Sequence, residues 1–427
     1  MKNTLKKIVI AILTWEAKLV LKKYKPKIVA ITGTAGKTST KDAVGSVLEG
    51  FVFVRKTEKS YNSDIGVPLT ILGLPNKWGS LLGWMSNIFE GLMTVLYTMK
   101  YPEWLVLEVG ADHPGDIQKL MEWVHPDVAI ITAIGDVPVH VEFYAGPDDV
   151  FKEKCKLIDG LKKGGILILN HDDERLKKLT VRKDVQVFTY GFSRGSNITA
   201  SNIEFAEVDG SVTGMMTKIK IDKNVFPLRV HGVVGAQQIY PCLAGISVAK
   251  ALQKNTLVAL QALEKRALVP GRMRILEGIR NMTIIDDSYN ASPLAMSAAL
   301  ETLKDMPAKR RIALLGHMAE LGVYSEKEHA KVGEMVSDVA DLVLTSGSLA
   351  EGIADVVRRR KGTGAVVSFS GPENAAQYIA TKVKPGDVIL VKGSQSARME
   401  KAIKLLLNRP EEAEKLLVRQ EDEWRKR

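Results

Sequence analysis

The chain has 427 residues, 45% of them hydrophobic and 26% charged, an ordinary composition for a globular protein of roughly two to three domains. Its two cysteines exclude a disulfide framework or a cysteine-based zinc site, and they suit a reducing compartment such as the cytoplasm. Most of the net charge of +11 is local, because residues 1–27 hold eight lysines and one glutamate, an excess of seven. Since the chain has no RNA-binding signature or zinc-finger spacing, we expect no nucleic-acid partner.

Residues 1–26 predict a basic amphipathic helix. The apolar run from Ile8 to Leu13 is too short to span a bilayer, which takes about 20 residues, and no signal-peptide cleavage site follows it. Apolar side chains recur at helical spacing at Leu5, Ile8, Val9, Ile12, Trp15 and Leu19. Two interpretations stay open: the helix packs on the body of the protein, or it lies on an anionic membrane surface.

From residue 27 onward, short apolar runs alternate with helical stretches, a pattern typical of a parallel sheet covered on both faces. The predicted strands are KIVAITG, WLVLEVG (104–110), DVAIIT (127–132) and GILILN (165–170). Residues 37–49 read as the helix after the first strand. Residues 197–230 consist of short β-like pieces and predict a small antiparallel appendage. We therefore expect a central α/β domain over residues 27–268.

A second alternating series begins after VPGRM (269–273) and predicts a Rossmann-like α/β domain over residues 269–408. Its strands are MTIIDD, RRIALLG, ADLVLTSG, AVVSFSG and GDVILVKGS. Residues 409–427 are expected to form a charged, solvated tail. Residues 79–99 look like an apolar helical insertion in the central domain, since Glu90 is their only charged residue. Their apolar stripe comprises Leu81, Met85, Ile88, Phe89, Leu92, Leu96 and Met99.

The turn after the first predicted strand reads TGTAGKTS and indicates a phosphate site. The common G-x-x-x-x-G-K-[ST] loop would need a glycine where Ile31 stands, so this loop has a shorter spacing. A glycine-rich turn before a helix presents backbone N–H groups and the positive helix end to phosphate. Lys37 can reach the outer phosphates, and the hydroxyl of Thr38 or Ser39 can hold Mg²⁺. The expected nucleotide-binding loop is Gly33, Thr34, Ala35, Gly36, Lys37, Thr38 and Ser39.

Two further polar residues follow predicted strands. Glu108 ends WLVLE, and His140 comes after DVAIITAIG. Because ligands of open α/β sheets bind at the carboxyl ends of strands, we expect Glu108 beside the phosphate loop as a metal ligand. His140 is expected at the same edge of the sheet.

Taken together, these motifs resemble the Mur ligase family, whose members join a carboxylate to an amine using ATP. TGTAGKTS matches the family's loop and EVGADHPGDI its metal-binding strand end; NSDIGVPLTIL (62–72), LNHDDERL (169–176) and GRMRIL (271–276) also fit. The strongest matches are IIDDSYNASPLAMSAAL (284–300), RRIALLGHMAELGVYSEKEH (310–329) and GDVILVKGSQSARMEKAI (386–403). These three favour the branch that adds D-alanyl-D-alanine to a UDP-muramoyl-tripeptide.

The resemblance implies roles for individual residues of the central domain. Lys37 would neutralise the β- and γ-phosphates of ATP, and Thr38 would bind one Mg²⁺ ion. Glu108 would touch both of two Mg²⁺ ions, and His140 would bind the second. Lys154, in VFKEKCKLI, falls where the family carries a carbamylated lysine, whose anionic oxygens suit Mg²⁺. Lys37, Glu108, His140 and Lys154 would therefore form the catalytic group.

In the second domain, the resemblance implies that Arg272, Asp287 and Asn290 contact ATP as the domains close. The substrate carboxylate would become an acyl phosphate, which an amine attacks to form an amide. The expected substrates are a carboxylate-bearing cell-wall precursor and an amino-acid or dipeptide amine.

Several positions depart from the family pattern. They are Ala133, Gln237, Gln238 and Pro241 in place of asparagine or histidine, His317 in place of aspartate, and Ser292 in place of asparagine. The phosphate loop starts at residue 33, which leaves no room for the domain that holds the UDP-sugar in this family. We therefore expect a cytoplasmic ligase that binds its carboxylate substrate without that domain.

Two alternatives to this ligase stay open. A folylpolyglutamate synthase-like ligase also lacks the UDP-sugar domain, although DDSYNASP and KGSQSARME count against it. A nucleotide-binding protein without ligase activity would explain the altered positions, although Lys37, Glu108, His140 and Lys154 are retained. Residues 5–19 and 79–99 are expected to contact the inner face of the membrane or to pack on each other.

Overall fold

The structure, a computed structural model, describes residues 3–58 and 64–425. Asn62 and Ser63 of the NSDIGVPLTIL segment lie outside the described residues. So do residues 1–2 of the expected N-terminal helix and residues 426–427 of the expected tail. The predicted fold class is confirmed: two mainly parallel sheets, each flanked by helices, follow one another along the chain.

The first sheet runs parallel over most of its width and ends in an antiparallel meander. Its strands are β1 (Lys27–Thr32), β2 (Val54–Lys56), β3 (Trp104–Glu108), β4 (Val128–Ile131), β5 (Ile166–Asn170), β6 (Gln186–Gly191), β7 (Ile198–Val208), β8 (Ser211–Ile221) and β9 (Asn224–His231). Their order is β2-β3-β1-β4-β5-β6-β7-β8-β9, and β8 pairs antiparallel with both β7 and β9. The meander corresponds to the appendage predicted over residues 197–230.

Helices cover both faces of this sheet. They are α1 (Asn3–Tyr24), α2 (Lys37–Glu49), α3 (Gly66–Leu72), α4 (Leu81–Leu96), α5 (Asp116–Met121), α6 (Pro147–Asp159), α7 (Glu174–Lys177), α8 (Ile239–Ala251) and α9 (Thr256–Glu264). Successive residues of β1 point to opposite faces: Ile28 packs in a core with α1, α3, α5 and α6, and Val29 in one with α2, α8 and α9. Because both faces are covered, the strands read as continuous apolar runs.

The second sheet has one antiparallel edge strand. Its strands are β10 (Arg274–Glu277), β11 (Thr283–Asp287), β12 (Arg310–Gly316), β13 (Leu342–Ser346), β14 (Val366–Phe369) and β15 (Asp387–Lys392), in the order β10-β11-β15-β12-β13-β14. The remaining helices are α10 (Pro293–Asp305), α11 (Ser325–Val339), α12 (Glu351–Lys361), α13 (Pro372–Ala380), α14 (Glu400–Leu406), α15 (Ala413–Leu416) and α16 (Asp422–Arg425). The boundary expected near residue 269 falls between α9 and β10.

The C-terminal tail packs on the second domain, whereas the sequence suggested a solvated segment. Arg419 is buried, donates to Glu400 Oε2 at 3.1 Å and to Ser288 O at 3.2 Å, and also bonds to Tyr289 O. Leu417, which is also buried, anchors the segment in the core of that domain. Although the tail is rich in charged residues, Leu417 and Arg419 attach it to the second domain.

The two apolar segments pack on each other. Lys23 of α1 donates to Val95 O at 2.8 Å and to Tyr97 O at 2.6 Å, which satisfies carbonyl groups at the end of α4. Closer to the start of α1, the buried carboxyl of Glu16 lies against Gly91 of α4. Across residues 3–58 and 64–425, no helix has both the length and the apolar character needed to cross a bilayer.

Candidate active site

The loop between β1 and α2 holds two glycines in conformations that other residues avoid. Gly33 has a φ of +142°, and a Cβ there would lie 2.0 Å from Thr132 Oγ1. Gly36 has a φ of +83° directly before α2, and a Cβ there would meet open space. The backbone N–H of Thr34 donates to Ala133 O at 2.8 Å, which fixes the turn against the end of β4. The first N–H groups of α2, which lack partners within the helix, are thereby available to an anion.

Lys37 and Thr38 open α2 beside Glu108, the last residue of β3. Lys37 Nζ donates to Gly33 O at 2.8 Å, and Thr38 Oγ1 donates to Glu108 Oε1 at 3.1 Å. Glu108 is 1% exposed, and its Oε2 has no hydrogen-bond partner in the described part of the chain. Burial lowers the pKa of Lys37, and the charge of Glu108 opposes that shift. The edge of the sheet therefore holds a cation and a carboxylate with spare acceptor capacity.

Lys154 of α6 is buried, which is rare for a lysine. Its Nζ donates to Ala111 O at 3.3 Å. The neighbouring Glu153 is turned away from it and accepts from the backbone N–H groups of Gly115 and Ile117, at 3.0 and 2.8 Å. Burial, helped by the nearby charge of Lys37, lowers the pKa of Lys154 to about 7. A large share of this amine is therefore neutral near physiological pH.

His140 lies at the interface between the two domains. Its Nδ1 is 2.6 Å from Glu320 Oε2 of the second domain, and its Nε2 is 3.5 Å from Asp112 Oδ1. His140 and Glu320 both have left-handed backbone conformations, with φ of +67° and +63°. The contact with His140 lowers the pKa of Glu320. These contacts join the domains, and the sequence did not predict the pairing with Glu320.

The second domain brings its own charged groups to the loop. Arg272 Nη2 donates to Thr38 Oγ1 at 3.4 Å across the domain boundary. Lys392, at the end of β15, is buried; it forms an ion pair with Asp287 and donates to Asn290 O at 3.0 Å. The three residues predicted in this domain therefore lie opposite the phosphate loop, together with an unpredicted lysine.

A cavity of about 850 Å³ opens between the two domains. The predicted residues that line it are Thr34, Ala35, Gly36, Ser39, Arg272, Asp287 and Asn290. Six others are not among its lining residues: Gly33, Lys37, Thr38, Glu108, His140 and Lys154. The predicted residues thus divide into a cavity wall and residues beside it. Among the latter, Lys37, Thr38 and Glu108 form a polar cluster, which the hydrogen bond between Arg272 and Thr38 connects to the wall.

Comparisons with known proteins agree with this geometry. The family model described as the Mur ligase middle domain matches residues 31–82 and 87–249, and the one described as the Mur ligase glutamate ligase domain matches residues 271–395. The chain belongs to the Mur ligase family. UDP-N-acetylmuramoyl-tripeptide–D-alanyl-D-alanine ligases of Bacillus subtilis and Haemophilus influenzae are 28% and 30% identical to this Mur ligase. These alignments cover 92% and 91% of the chain, and 79% and 78% of the two relatives.

Among solved structures, the MurF ligase of Thermotoga maritima in complex with ADP matches with a TM-score of 0.78 and 27% identity. The match covers 95% of this Mur ligase and 84% of that chain. A folylpolyglutamate synthase of Mycobacterium tuberculosis shares only the fold, with a TM-score of 0.65 and 15% identity. The predicted function is therefore confirmed: the protein is a MurF-like, ATP-dependent ligase of peptidoglycan precursor synthesis.

Sequence reasoning missed an aromatic corner of the cavity in this Mur ligase. Tyr240 and Phe192 both line the cavity, with ring centroids 4.8 Å apart and near-perpendicular planes. Asp172 holds this corner in place, because it accepts a hydrogen bond from Tyr240 Oη at 2.9 Å and others from the backbone N–H groups of Phe192 and Ser193. Asp172 lies within the LNHDDERL match, which was the available signal.

The polar cluster fits a magnesium site in its donor chemistry. Mg²⁺ prefers oxygen ligands, and the unpartnered Oε2 of buried Glu108 lies beside the hydroxyl of Thr38. Residues 3–58 and 64–425 contain no group of three His, Cys, Asp or Glu side chains placed to hold a metal ion. A single carboxylate and a hydroxyl are enough protein donors for Mg²⁺, which usually completes its shell with water and phosphate oxygens.

Proposed function

We propose that the protein joins the free carboxylate of a UDP-muramoyl-tripeptide-like precursor to the amine of a D-alanyl-D-alanine-like dipeptide. The two relatives named above carry these substrates in their names. The observation that carries the proposal is the cavity between the domains, where a phosphate loop faces Arg272 and the Asp287–Lys392 pair. This arrangement can hold ATP on one domain and bring positive charge from the other.

The phosphates of ATP are proposed to lie at the start of α2. The free N–H groups of the first helical turn and the ammonium of Lys37 would bind the β- and γ-phosphates. Arg272, Asp287 and Asn290 would approach the nucleotide from the second domain. The Arg272–Thr38 hydrogen bond supports this assignment, because it already brings the guanidinium to the first turn of α2.

Mg²⁺ is proposed to bind at Thr38 and Glu108, with His140 and a carbamate on Lys154 completing two sites. When bound, the ions offset charge that develops on the transferring phosphoryl group. Glu108 would hold its ligand position through the hydrogen bond from Thr38, leaving Oε2 for the metal. His140 would have to exchange its contacts with Asp112 and Glu320 for this role.

The carbamate on Lys154 would add anionic oxygen donors for the second ion. A neutral amine attacks CO₂ to form an N–C bond and releases one proton, which leaves an anionic carbamate. The lowered pKa of Lys154 favours this step, since the neutral amine is present near pH 7. The nearby ammonium of Lys37 would then stabilise the anion.

The reaction would proceed in two steps. An oxygen of the substrate carboxylate attacks the γ-phosphorus, the bond to ADP breaks, and an acyl phosphate forms. The amine then attacks the acyl carbon, phosphate leaves, and the nitrogen gives up a proton to yield the amide. Lys37 and Arg272 would bind the negative charge that moves between these groups.

Phosphate release by the purified protein tests the proposal. We expect release to require both UDP-muramoyl-tripeptide and D-alanyl-D-alanine, with the amide product visible by mass spectrometry. A parallel assay with a folate and glutamate should give none. Turnover with the folate pair alone would replace the proposal with the folylpolyglutamate synthase-like alternative. No substrate-dependent release with either pair would contradict it.

The reaction is proposed to take place in the cytoplasm, at the inner face of the membrane. Peptidoglycan precursors carrying a nucleotide are water-soluble, whereas α1 and α4 expose apolar side chains beside lysines. A peripheral contact would keep the enzyme at the membrane surface while its cavity remains open to water.

A further inference from the structure

Helix α4 turns its apolar face away from the body of the protein. Its buried residues are Trp84, Asn87, Gly91 and Thr94, so two are polar and one has no side chain. Its outward residues are large and apolar, with Leu82 79% exposed and Phe89 62% exposed. A surface helix of a soluble protein normally has the opposite arrangement. The outward face of α4 therefore calls for an apolar neighbour.

Helix α1 and the segment after α4 add to this face. We define the α1–α4 surface by its exposed apolar side chains: Ile8, Trp15, Leu81, Leu82, Met85, Phe89, Leu96, Tyr97 and Met99. Tryptophan and tyrosine are the side chains that favour the boundary between lipid and water. No residue of this surface lines the cavity, so it does not belong to the active site.

The charges beside the α1–α4 surface are positive. Exposed lysines of α1 and its C-terminal flank include Lys6, Lys7, Lys22 and Lys25. None of them lies within ion-pair distance of an acidic side chain in the ranges 3–58 and 64–425. The two helices carry two acids, of which Glu16 is buried and Glu90 is exposed, so the exposed lysines leave this face with a net positive charge. An anionic neighbour would complement this charge.

We propose that the α1–α4 surface binds an anionic lipid bilayer, with both helices lying in the interface. A second copy of the chain fits less well, because a symmetric contact would bring the same lysines together from both sides. Crossing the bilayer is unsuited to α4, whose 16 residues contain Asn87, Glu90 and Gly91. The proposal does not depend on the ligase chemistry.

Vesicle sedimentation of the nucleotide-free full chain tests the proposal. We expect the protein to pellet with phosphatidylglycerol-containing vesicles at low salt and to remain in solution with phosphatidylcholine alone. Binding should weaken strongly at about 1 M salt, where the Debye length falls to about 3 Å. No pelleting with anionic vesicles at low salt would overturn the proposal, whatever the outcome of the ligase assay.

Paired variants test whether vesicle binding is specific to the α1–α4 surface. Leu82→Ser with Phe89→Ser should weaken vesicle binding by about tenfold or more, because two apolar side chains no longer enter the lipid. The control, Leu257→Ser with Val225→Ser, alters side chains that are also more than half exposed but lie on α9 and β9, and it should bind like wild type. Ligase turnover and thermal unfolding should be unchanged in both, since all four side chains face water.

Two outcomes would contradict the surface assignment. Equal vesicle binding by the Leu82→Ser, Phe89→Ser variant and its control would exclude α4 as the contact. The wild type could instead form a dimer in size-exclusion chromatography and fail to bind vesicles. If the Leu82→Ser, Phe89→Ser variant were then a monomer, the surface would bind a second copy of the chain. Replacing Lys6, Lys7 and Lys22 by glutamate should abolish binding to anionic vesicles, and unchanged binding would exclude the charge complementarity.

Discussion

Helices α2 and α4 belong to the same domain and have similar lengths, 13 and 16 residues, yet their apolar sides face opposite ways. Helix α2 buries Val44, Val47 and Leu48, and Ser39 of its first turn lines the cavity. Helix α4 buries Asn87 and Gly91 and exposes its large apolar residues. An apolar stripe therefore shows which face needs an apolar neighbour, without showing whether that neighbour is the protein's own core.

This contrast separates two kinds of effect. Substitutions around the first turn of α2 should change catalysis and leave stability nearly unchanged. Substitutions within the α1–α4 pair should change stability or lipid binding and leave catalysis unchanged. Each prediction below would break this separation if it failed.

The largest effect is expected for Lys37→Ala. Turnover should fall by about 10²–10³-fold, because the variant loses a preorganised cation that stabilises charge on the transferring phosphoryl group. Its melting temperature should stay close to that of wild type, since burial already disfavours the charge of Lys37. Substrate-dependent phosphate release measures the effect, and Lys22→Ala on α1 is the matched control. Normal turnover of the Lys37 variant would remove the loop from the mechanism.

Lys154→Ala should reduce turnover by about 10²-fold, with partial recovery on addition of short-chain carboxylates, because the oxygen donors of the metal site are lost. Lys156→Ala, two residues away at a half-exposed position, should retain activity. In wild type, the carbamate carbon seen by NMR with ¹³C-bicarbonate should decline as pH falls below about 7, where protonation of Lys154 removes the reactive amine. Full activity of Lys154→Ala, or no carbamate signal at pH 8, would contradict the assignment.

A smaller loss is expected for Arg272→Lys. The variant keeps the charge but loses the planar guanidinium that reaches Thr38, so kcat/KM for ATP should fall by about tenfold. Arg280→Lys, in the same domain and bonded to the carbonyls of Thr381 and Val383, is the control. If the two variants behave alike, the contact between the domains at Thr38 has no part in ATP use.

The smallest effect concerns stability and pH. Burial raises the pKa of Glu16 to about 7, so the folded state must hold an unpaired buried carboxylate at higher pH. The contribution of Glu16 to wild-type stability should therefore become unfavourable as pH rises from about 4.5 to about 7. Glu16→Gln should be more stable than wild type by about 1 kcal/mol or more at pH 8, and little different at pH 4.5.

Urea unfolding at the two pH values measures this difference, and the exposed Glu90→Gln is the control. Ligase turnover should be the same in both variants. A Glu16→Gln protein that is less stable at pH 8 would mean that the carboxylate has a partner in solution. A change in the turnover of Glu16→Gln would show that the α1–α4 pair affects the reaction as well as stability.

The sheets and the phosphate loop could be predicted from the sequence because their signals are local. Buried parallel strands such as β3 read as short apolar runs, and the spacing of Gly33 and Gly36 marks the turn before α2. The motif matches carried the prediction across the domain boundary to Arg272, Asp287 and Asn290. All three lie on the cavity wall.

The missed features depend on residues far apart in the chain. Nothing near His140 predicts its contact with Glu320, and nothing near Asp172 predicts its bond to Tyr240. The direction of α4 was equally hidden, because its periodicity fits a face that points inward or outward. The tail was misread since its many charges outweighed Leu417 and Arg419, which anchor it.

Tyr289 links the C-terminal tail to the wall of the cavity between the domains, because an arginine from each side packs on its ring. The Arg272 guanidinium lies 4.0 Å from the centroid of this ring, and that of Arg419 lies 5.2 Å from it. One aromatic side chain thus lies between a cation of the cavity wall and the buried arginine of the tail. A deletion that removes Arg419 takes away one of the two guanidinium groups that pack on this ring. A shortened version of this enzyme should therefore keep the chain through Arg419.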